Sequence, residues 1–192
     1  MQVVLVPVPY KGQEEEVNQA CSEVAETLKN AGYRVELDTR NELTPGNKFY
    51  YWELRGVPIR VEIGPRDLAN GVVTVVRRDT LKKQQLKMNE VVSGVHALAE
   101  TITADLKINA AALMNERIYR VSRITEAKSL LKRKTGIVEV PWCGKDDCGH
   151  KLEEEVDARL LGIPEDNPEK IYGTCVICGE PAENIVRVAS AY

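Results

Sequence analysis

From Val3 to Val8 the chain is apolar without a break and rich in β-branched residues, the pattern of a strand buried on both faces. Beyond it the period changes. Val17, Ala20, Cys21, Val24, Ala25 and Leu28 recur at the spacing of one helix face, and Gly32 stands where that helix has to end. Tyr33-Arg-Val-Glu-Leu37 alternates as a strand does, so the opening predicts β-α-β, with Cys21 in the core face of its helix. A turn at Thr44-Pro-Gly-Asn47 precedes a short predicted helix over 48–55, closed by Gly56. Val57, Ile59, Val61 and Ile63 then alternate with Pro58, Arg60 and Glu62, which places Arg60 and Glu62 together on the second face of a strand. Gly64-Pro65 breaks that strand, and 72–76 supplies another. From Leu86 the positions Met88, Val91, Val92, Val95, Ala99, Ile102 and Leu106 mark a long amphipathic helix, with His96 a boundary residue beside the stripe.

Residues 107–134 read as helical and basic, with Arg117, Arg120 and Arg123 spaced by three. The boundary is placed near 108, giving one domain over 1–107 and a linker helix with a second module over 108–192. That module is predicted as a strand at 137–141, a cysteine turn, a helix over 151–161, an acidic loop at 164–169, a second cysteine turn and a strand at 184–189.

Composition adds bounds. At 192 residues, 43% hydrophobic and 29% charged, the chain has room for one large domain or two small ones. No run approaches the roughly 20 apolar residues of a membrane span. The net charge of -3 conceals blocks: 55–87 hold eight Lys/Arg against three Asp/Glu, 117–134 seven against one, and 146–169 two against nine. Basic segments in an acidic protein fit a solvated face and contact with a polyanion equally.

Four of the five cysteines form two pairs, Cys143-x4-Cys148 and Cys175-x2-Cys178, each in a short turn with glycine beside a cysteine. Such turns aim backbone amides at thiolate sulfurs, as a zinc ion held by four cysteines requires. Disulfide pairing needs an oxidising compartment, and Met-Gln-Val-Val-Leu-Val carries no secretory signal, so the reading is cytoplasmic with reduced thiols. Four thiolates close the tetrahedron, which makes the metal structural; His150 is the one substitute for a thiolate in the vicinity.

Catalytic signals are scarce. There is no Gly-x-Gly for a dinucleotide or Walker loop, neither of the two histidines has a Ser or Cys partner in a recognisable elbow, and Glu153-Glu154-Glu155 lies in a charge run. No catalytic residue is assigned.

Trp52-Glu-Leu-Arg-Gly-Val-Pro-Ile-Arg-Val-Glu-Ile-Gly-Pro-Arg-Asp67 and Gly71-Val-Val-Thr-Val-Val-Arg-Arg-Asp79, with Pro45-Gly46 and Lys48-Phe49 upstream, closely resemble the anticodon-binding domain of prolyl-tRNA synthetase, a class II aminoacyl-tRNA synthetase. Asn47 departs from the family, which commonly has an aromatic residue there. The resemblance runs on through the cysteine pairs to the terminal Tyr192, as in archaeal and eukaryotic-type members. It implies an α/β fold: a mixed five-stranded sheet flanked by helices, then a small α/β zinc-binding domain. It further implies that a catalytic domain, with ATP and Mg2+, precedes residue 1, and that this stretch is inactive alone. The implied partners are the proline tRNA and the chain's own catalytic domain, in a homodimeric parent enzyme and away from membranes. The Tyr192 carboxylate would reach toward the parent's active site, with the acidic 146–169 face as a docking surface.

Every proline anticodon ends in two guanines. An unstacked guanine offers O6 and N7 to an arginine fork, and N1–H and N2–H to a carboxylate. The resemblance places the anticodon contacts on Glu53, Arg60, Arg66 and Lys82, with Glu53 accepting from a guanine edge, Arg60 and Arg66 donating, and Lys82 near a base or phosphate. An ordinary ion pair, Arg60 with Glu62 for example, is the plain alternative for each. Lys83, Lys87, Arg77 and Arg78 would attract phosphate. Two other classes remain open, a stand-alone RNA-binding module with a structural zinc and a small metalloenzyme.

Overall fold

A computed structural model describes residues 1–133, 136–165 and 172–190. The chain divides into two compact units, Met1–Lys107 and Ile108–Tyr192.

In the first unit β1 (Val3–Pro7) leads through α1 (Glu14–Asn30) to β2 (Val35–Leu37), then α2 (Pro45–Leu54), β3 (Ile59–Ile63), α3 (Pro65–Ala69), β4 (Val72–Arg77) and β5 (Lys83–Lys87). A single 3-10 turn, Met88–Glu90, opens α4 (Val91–Glu116). The sheet order is β2-β1-β3-β4-β5; β1 runs parallel to β2 and β3, whereas β4 and β5 are antiparallel to their neighbours. This is the mixed five-stranded sheet that the resemblance implied.

Alternation along the strands sorts the core into two layers. Val3, Leu5, Ile59, Val61, Ile63, Val73 and Val75 face Val17, Cys21, Leu28, Val91, Val95 and Ile102 of α1 and α4. Burial pushes the Cys21 thiol up to about 12, so it packs as a small apolar group. On the second face Val4, Val6 and Val57 meet Phe49 and Trp52 of α2. α2 covers only part of this face. Arg60, Glu62 and Thr74 lie on it too, at positions fixed by the register Val4↔Arg60, Arg60↔Val76 and Glu62↔Thr74.

Two elements differ from expectation here. The helix predicted from Lys48 begins at Pro45, because Thr44 caps it, accepting from Asn47 N at 3.4 Å, and proline is preorganised for the first helical position. β5 was absent from the prediction. It lies where the long helix was expected to be starting, and Gly94 lets that helix pass so close that a Cβ there would stand 2.5 Å from Leu86 Cδ1.

The second unit contains β6 (Ile118–Arg120), α5 (Ile124–Lys132), β7 (Ile137–Trp142), α6 (Asp146–Val156), β8 (Arg159–Gly162) and β9 (Asn184–Ala189) in a sheet ordered β6-β7-β9-β8. Ala127, Leu131, Val138, Val140, Leu152, Val186 and Val188 form its core. Glu139 is buried in the middle of the sheet and accepts from Arg120 Nε at 2.8 Å and Arg187 Nε at 2.9 Å, so one carboxylate ties three strands. The continuous basic helix expected over 107–134 is interrupted by β6. The helix expected over 151–161 starts earlier, at Asp146, and stops at Val156, where Asp157 adopts φ 51° and β8 follows. The acidic loop at 164–169 lies mostly outside the described residues, and Tyr192 lies wholly outside them.

Candidate nucleic-acid interface and metal centre

α2 presents Glu53, and a buried clamp fixes that helix. Asp38, at the end of β2, accepts from Trp52 Nε1 at 2.8 Å and from Arg40 Nε and Nη2 at 2.9 and 2.6 Å, while Lys48 Nζ donates to the Asp38 carbonyl at 3.0 Å. Burial opposes ionisation of Asp38, but the hydrogen bonds from Arg40 and Trp52 prevail and hold its pKa at about 2.

So placed, Glu53 Oε1 accepts from Arg60 Nη1 at 2.6 Å. Arg60 Nε donates to Glu62 Oε1 at 3.0 Å, and its guanidinium lies 4.0 Å from the Phe49 ring centroid. Only 8% of Arg60 is exposed, so the ion pair named as the plain alternative exists, and it is buried. Lys83 Nζ reaches Glu62 Oε2 at 3.1 Å from the row Arg60↔Val76↔Lys83 across three strands. Among the described residues, Arg60 Nη2 and Glu53 Oε2 make no hydrogen bond. The pair therefore keeps one donor group and one acceptor side by side.

A cleft of about 620 Å³ opens beyond Glu62, lined by Val8, Pro9 and Tyr10 after β1 and Gly64, Pro65, Arg66 and Asp67 after β3. β1 has parallel neighbours on both sides, so these are carboxyl ends of strands at a point where the chain order reverses, the usual ligand crevice of α/β sheets. Glu62 lines the cleft and also pairs with Arg60, which joins the two parts. Arg66 is exposed at its rim. Asp67, the neighbouring residue, accepts from Gly64 N at 2.9 Å and Thr74 Oγ1 at 3.0 Å.

In the second unit β7 delivers Cys143, Gly144 turns the chain at φ 81°, and Cys148 sits in the first turn of α6. The second pair lies on a turn closed by Cys175 N to Glu180 O at 2.8 Å and Gly179 N to Cys175 O at 3.0 Å. The four sulfurs lie within 4.8 Å of one another, and Cys178 Sγ is 3.7 Å from Cys143 Sγ. Tetrahedral coordination with metal–sulfur bonds of about 2.3 Å sets sulfurs roughly 3.8 Å apart, so these thiols can hold a metal ion. Burial pushes the Cys143 thiol up, and that of Cys148 to about 12. Burial acts the same way on Cys175, but backbone N–H groups of Cys178 and Ile177 draw it down to about 7. His150 is not one of the group; it lines a separate recess with Trp142, Asp146 and Glu153.

Residues 2–98, just over half of the chain, match the family model described as the anticodon binding domain. The chain belongs to that family. Residues 124–192 match the model of the prolyl-tRNA synthetase C-terminal region. A protein of Metallosphaera sedula named proline–tRNA ligase is 48% identical over 191 residues, 98% of this chain and 39% of that protein. Proteins of the same name from Pyrococcus abyssi and Thermococcus kodakarensis are 46% and 42% identical over 195 residues, 100% of this chain and 40% of each. The chain thus spans about 40% of the length of the curated relatives it matches.

Within the anticodon-binding unit the structure joins Glu53 and Arg60 directly, and places Arg66 on the cleft that Glu62 also lines, without a bond between them. Lys82 stands apart, exposed on the β4–β5 turn, its carbonyl accepting from Arg77 N at 3.1 Å. Of the basic residues expected to attract phosphate, Arg77 is committed to Asp79 and Asp105 at 2.6 and 2.7 Å. Arg78 is exposed and borders the recess of Glu53 and Arg60. Phe49 was missed as a site residue, although its place one helical turn before Glu53 was visible.

Proposed function

We propose that the first unit reads the anticodon of a proline tRNA and that the chain is the RNA-recognising, metal-stabilised part of a proline–tRNA ligase. The observation that supports this most is the Glu53–Arg60 pair in a member of the anticodon-binding family. Arg60 is held by Glu62 and Phe49, and among the described residues its Nη2 and Glu53 Oε2 make no hydrogen bond. Side by side, such groups suit the O6/N7 acceptors and N1–H/N2–H donors of one guanine, the base repeated in every proline anticodon. Arg66, at the cleft, serves the second guanine, and Lys82 serves a base or phosphate nearby.

The metal in this reading is one zinc ion bound by Cys143, Cys148, Cys175 and Cys178. Four sulfurs leave no position for water, so it is structural and argues against a metalloenzyme. Proline activation with ATP and Mg2+ belongs to the catalytic part of the parent enzyme, a cytoplasmic homodimer toward whose active site Tyr192 is directed.

The test is equilibrium binding of the 192-residue chain to anticodon stem-loop RNAs. A proline stem-loop is expected to bind about tenfold or more tightly than one with adenine in place of either guanine, since losing a good bidentate base contact removes roughly 1–3 kcal/mol of discrimination. Equal binding of all stem-loops overturns the reading.

A further inference from the structure

The outward face of α2 carries surface that neither the Asp38 clamp nor the Glu53–Arg60 pair uses. Tyr50 is 73% exposed and Leu54 93%, one helical turn apart. With Asn47, Tyr51 and Arg55 they line a groove of about 490 Å³ that contains no carboxylate. Its one cation is ordered by aromatic contact: Arg55 lies 4.4 Å from the Tyr51 ring centroid. A single exposed leucine is unremarkable, but an exposed tyrosine and leucine beside a ring-stacked arginine form a patch with a chemical bias. An apolar protein segment would leave Arg55 without an anionic partner. An unpaired nucleotide satisfies both, its base stacking on Tyr50 and its phosphate meeting Arg55.

We infer that this groove is a stacking subsite for an unpaired nucleobase of the same RNA, outside the guanines read by Glu53 and Arg60. The inference rests on the proposed anticodon reading, because it takes its RNA from there. Leu54 directly follows Glu53, so the groove and the guanine-reading carboxylate lie at the same level of α2, about 100° apart around its axis, and an RNA loop wrapping the helix meets both.

The experiment measures the intact 192-residue chain and its Tyr50→Ala and Tyr50→Phe variants against the proline anticodon stem-loop and a set of stem-loops each abasic at one loop position. Tyr50 is exposed and alanine is a strong helix former, so the fold is preserved. Tyr50→Ala is expected to weaken binding about tenfold, within the range for one stacked base, while Tyr50→Phe binds as wild type. The ratio between the guanine and adenine stem-loops stays the same in both variants. For one abasic RNA, at a position other than the two guanines, Tyr50→Ala costs nothing further. If the wild type discriminates guanine but Tyr50→Ala binds as well as wild type, or loses equally on every abasic RNA, the subsite is overturned and the anticodon reading stands. If the wild type shows no guanine preference, the anticodon reading falls, and the subsite with it.

Discussion

Arg60 donates through Nη1 to Glu53 at 2.6 Å and through Nε to Glu62 at 3.0 Å, so a guanidinium one strand away from the helix is what holds the Glu53 carboxylate in place. The two residues act as a unit. Changing either reorients the other, and single substitutions are non-additive.

Arg60→Ala is therefore expected to lower the stability of the first unit as well as RNA discrimination. Glu62 would be left buried with Lys83 as its remaining partner, at a cost of about 1–3 kcal/mol. Urea unfolding of the variant checks this; an unchanged midpoint would show that Arg60 contributes nothing to the fold.

Asp38 predicts a pH dependence. Its folded pKa of about 2 lies below the ordinary value of 3.8, so the stability it supplies is fully present above about pH 4 and is lost as pH falls toward 2. The difference corresponds to about 2 kcal/mol. Asp38→Asn should show that deficit at pH 7 and little deficit at pH 2. A deficit independent of pH would mean that the carboxylate charge is not what anchors α2.

The second unit depends on its metal. One zinc per chain is expected by elemental analysis, and Cys178→Ser should lose it and melt the unit after about 135, because binding at such sites is coupled to folding. The first unit should retain its own transition. Metal-free wild type with all thiols reduced, or thiols oxidised in pairs, would refute the site.

Glu139→Gln tests the electrostatic tie across β6, β7 and β9. It leaves the half-exposed Arg120 and the partly exposed Arg187 facing a neutral amide, and a loss of about 1–3 kcal/mol is expected. Chemical denaturation of the second unit reads it directly.

Strands whose side chains are buried were legible in the sequence: β1 and β4 are valine-rich runs, β3 alternates isoleucine and valine with Arg60 and Glu62, and α1 shows its stripe because one face packs on them. β5 was not, because Lys83-Gln-Gln-Leu-Lys87 is an edge strand with one apolar residue, held by backbone pairing to β4. β6 is three residues long, too short to carry a period. The first turn of α6 was hidden by reading Cys148 only as a turn residue. The second face of β3 was placed correctly, but alternation alone says nothing of what covers it. The burial of Arg60 by Phe49, Glu53 and Glu62 needs α2 folded over the strand, and the clamp that puts it there joins Asp38, Arg40, Lys48 and Trp52, where no period operates.

The most direct test of the guanine-reading pair uses modified bases. Inosine keeps every guanine edge group except the N2 amine, so it removes one of the two donors that a carboxylate can accept. We expect the wild-type chain to bind the proline anticodon stem-loop more tightly than its singly inosine-substituted form at one of the two guanines, by about tenfold, and Glu53→Gln to abolish that difference. Loss of a negative charge should meanwhile raise affinity for RNA in general. If the wild type binds the guanine and inosine stem-loops equally, or Glu53→Gln tightens every RNA and keeps the guanine preference, Glu53 is a structural partner of Arg60 and reads no base.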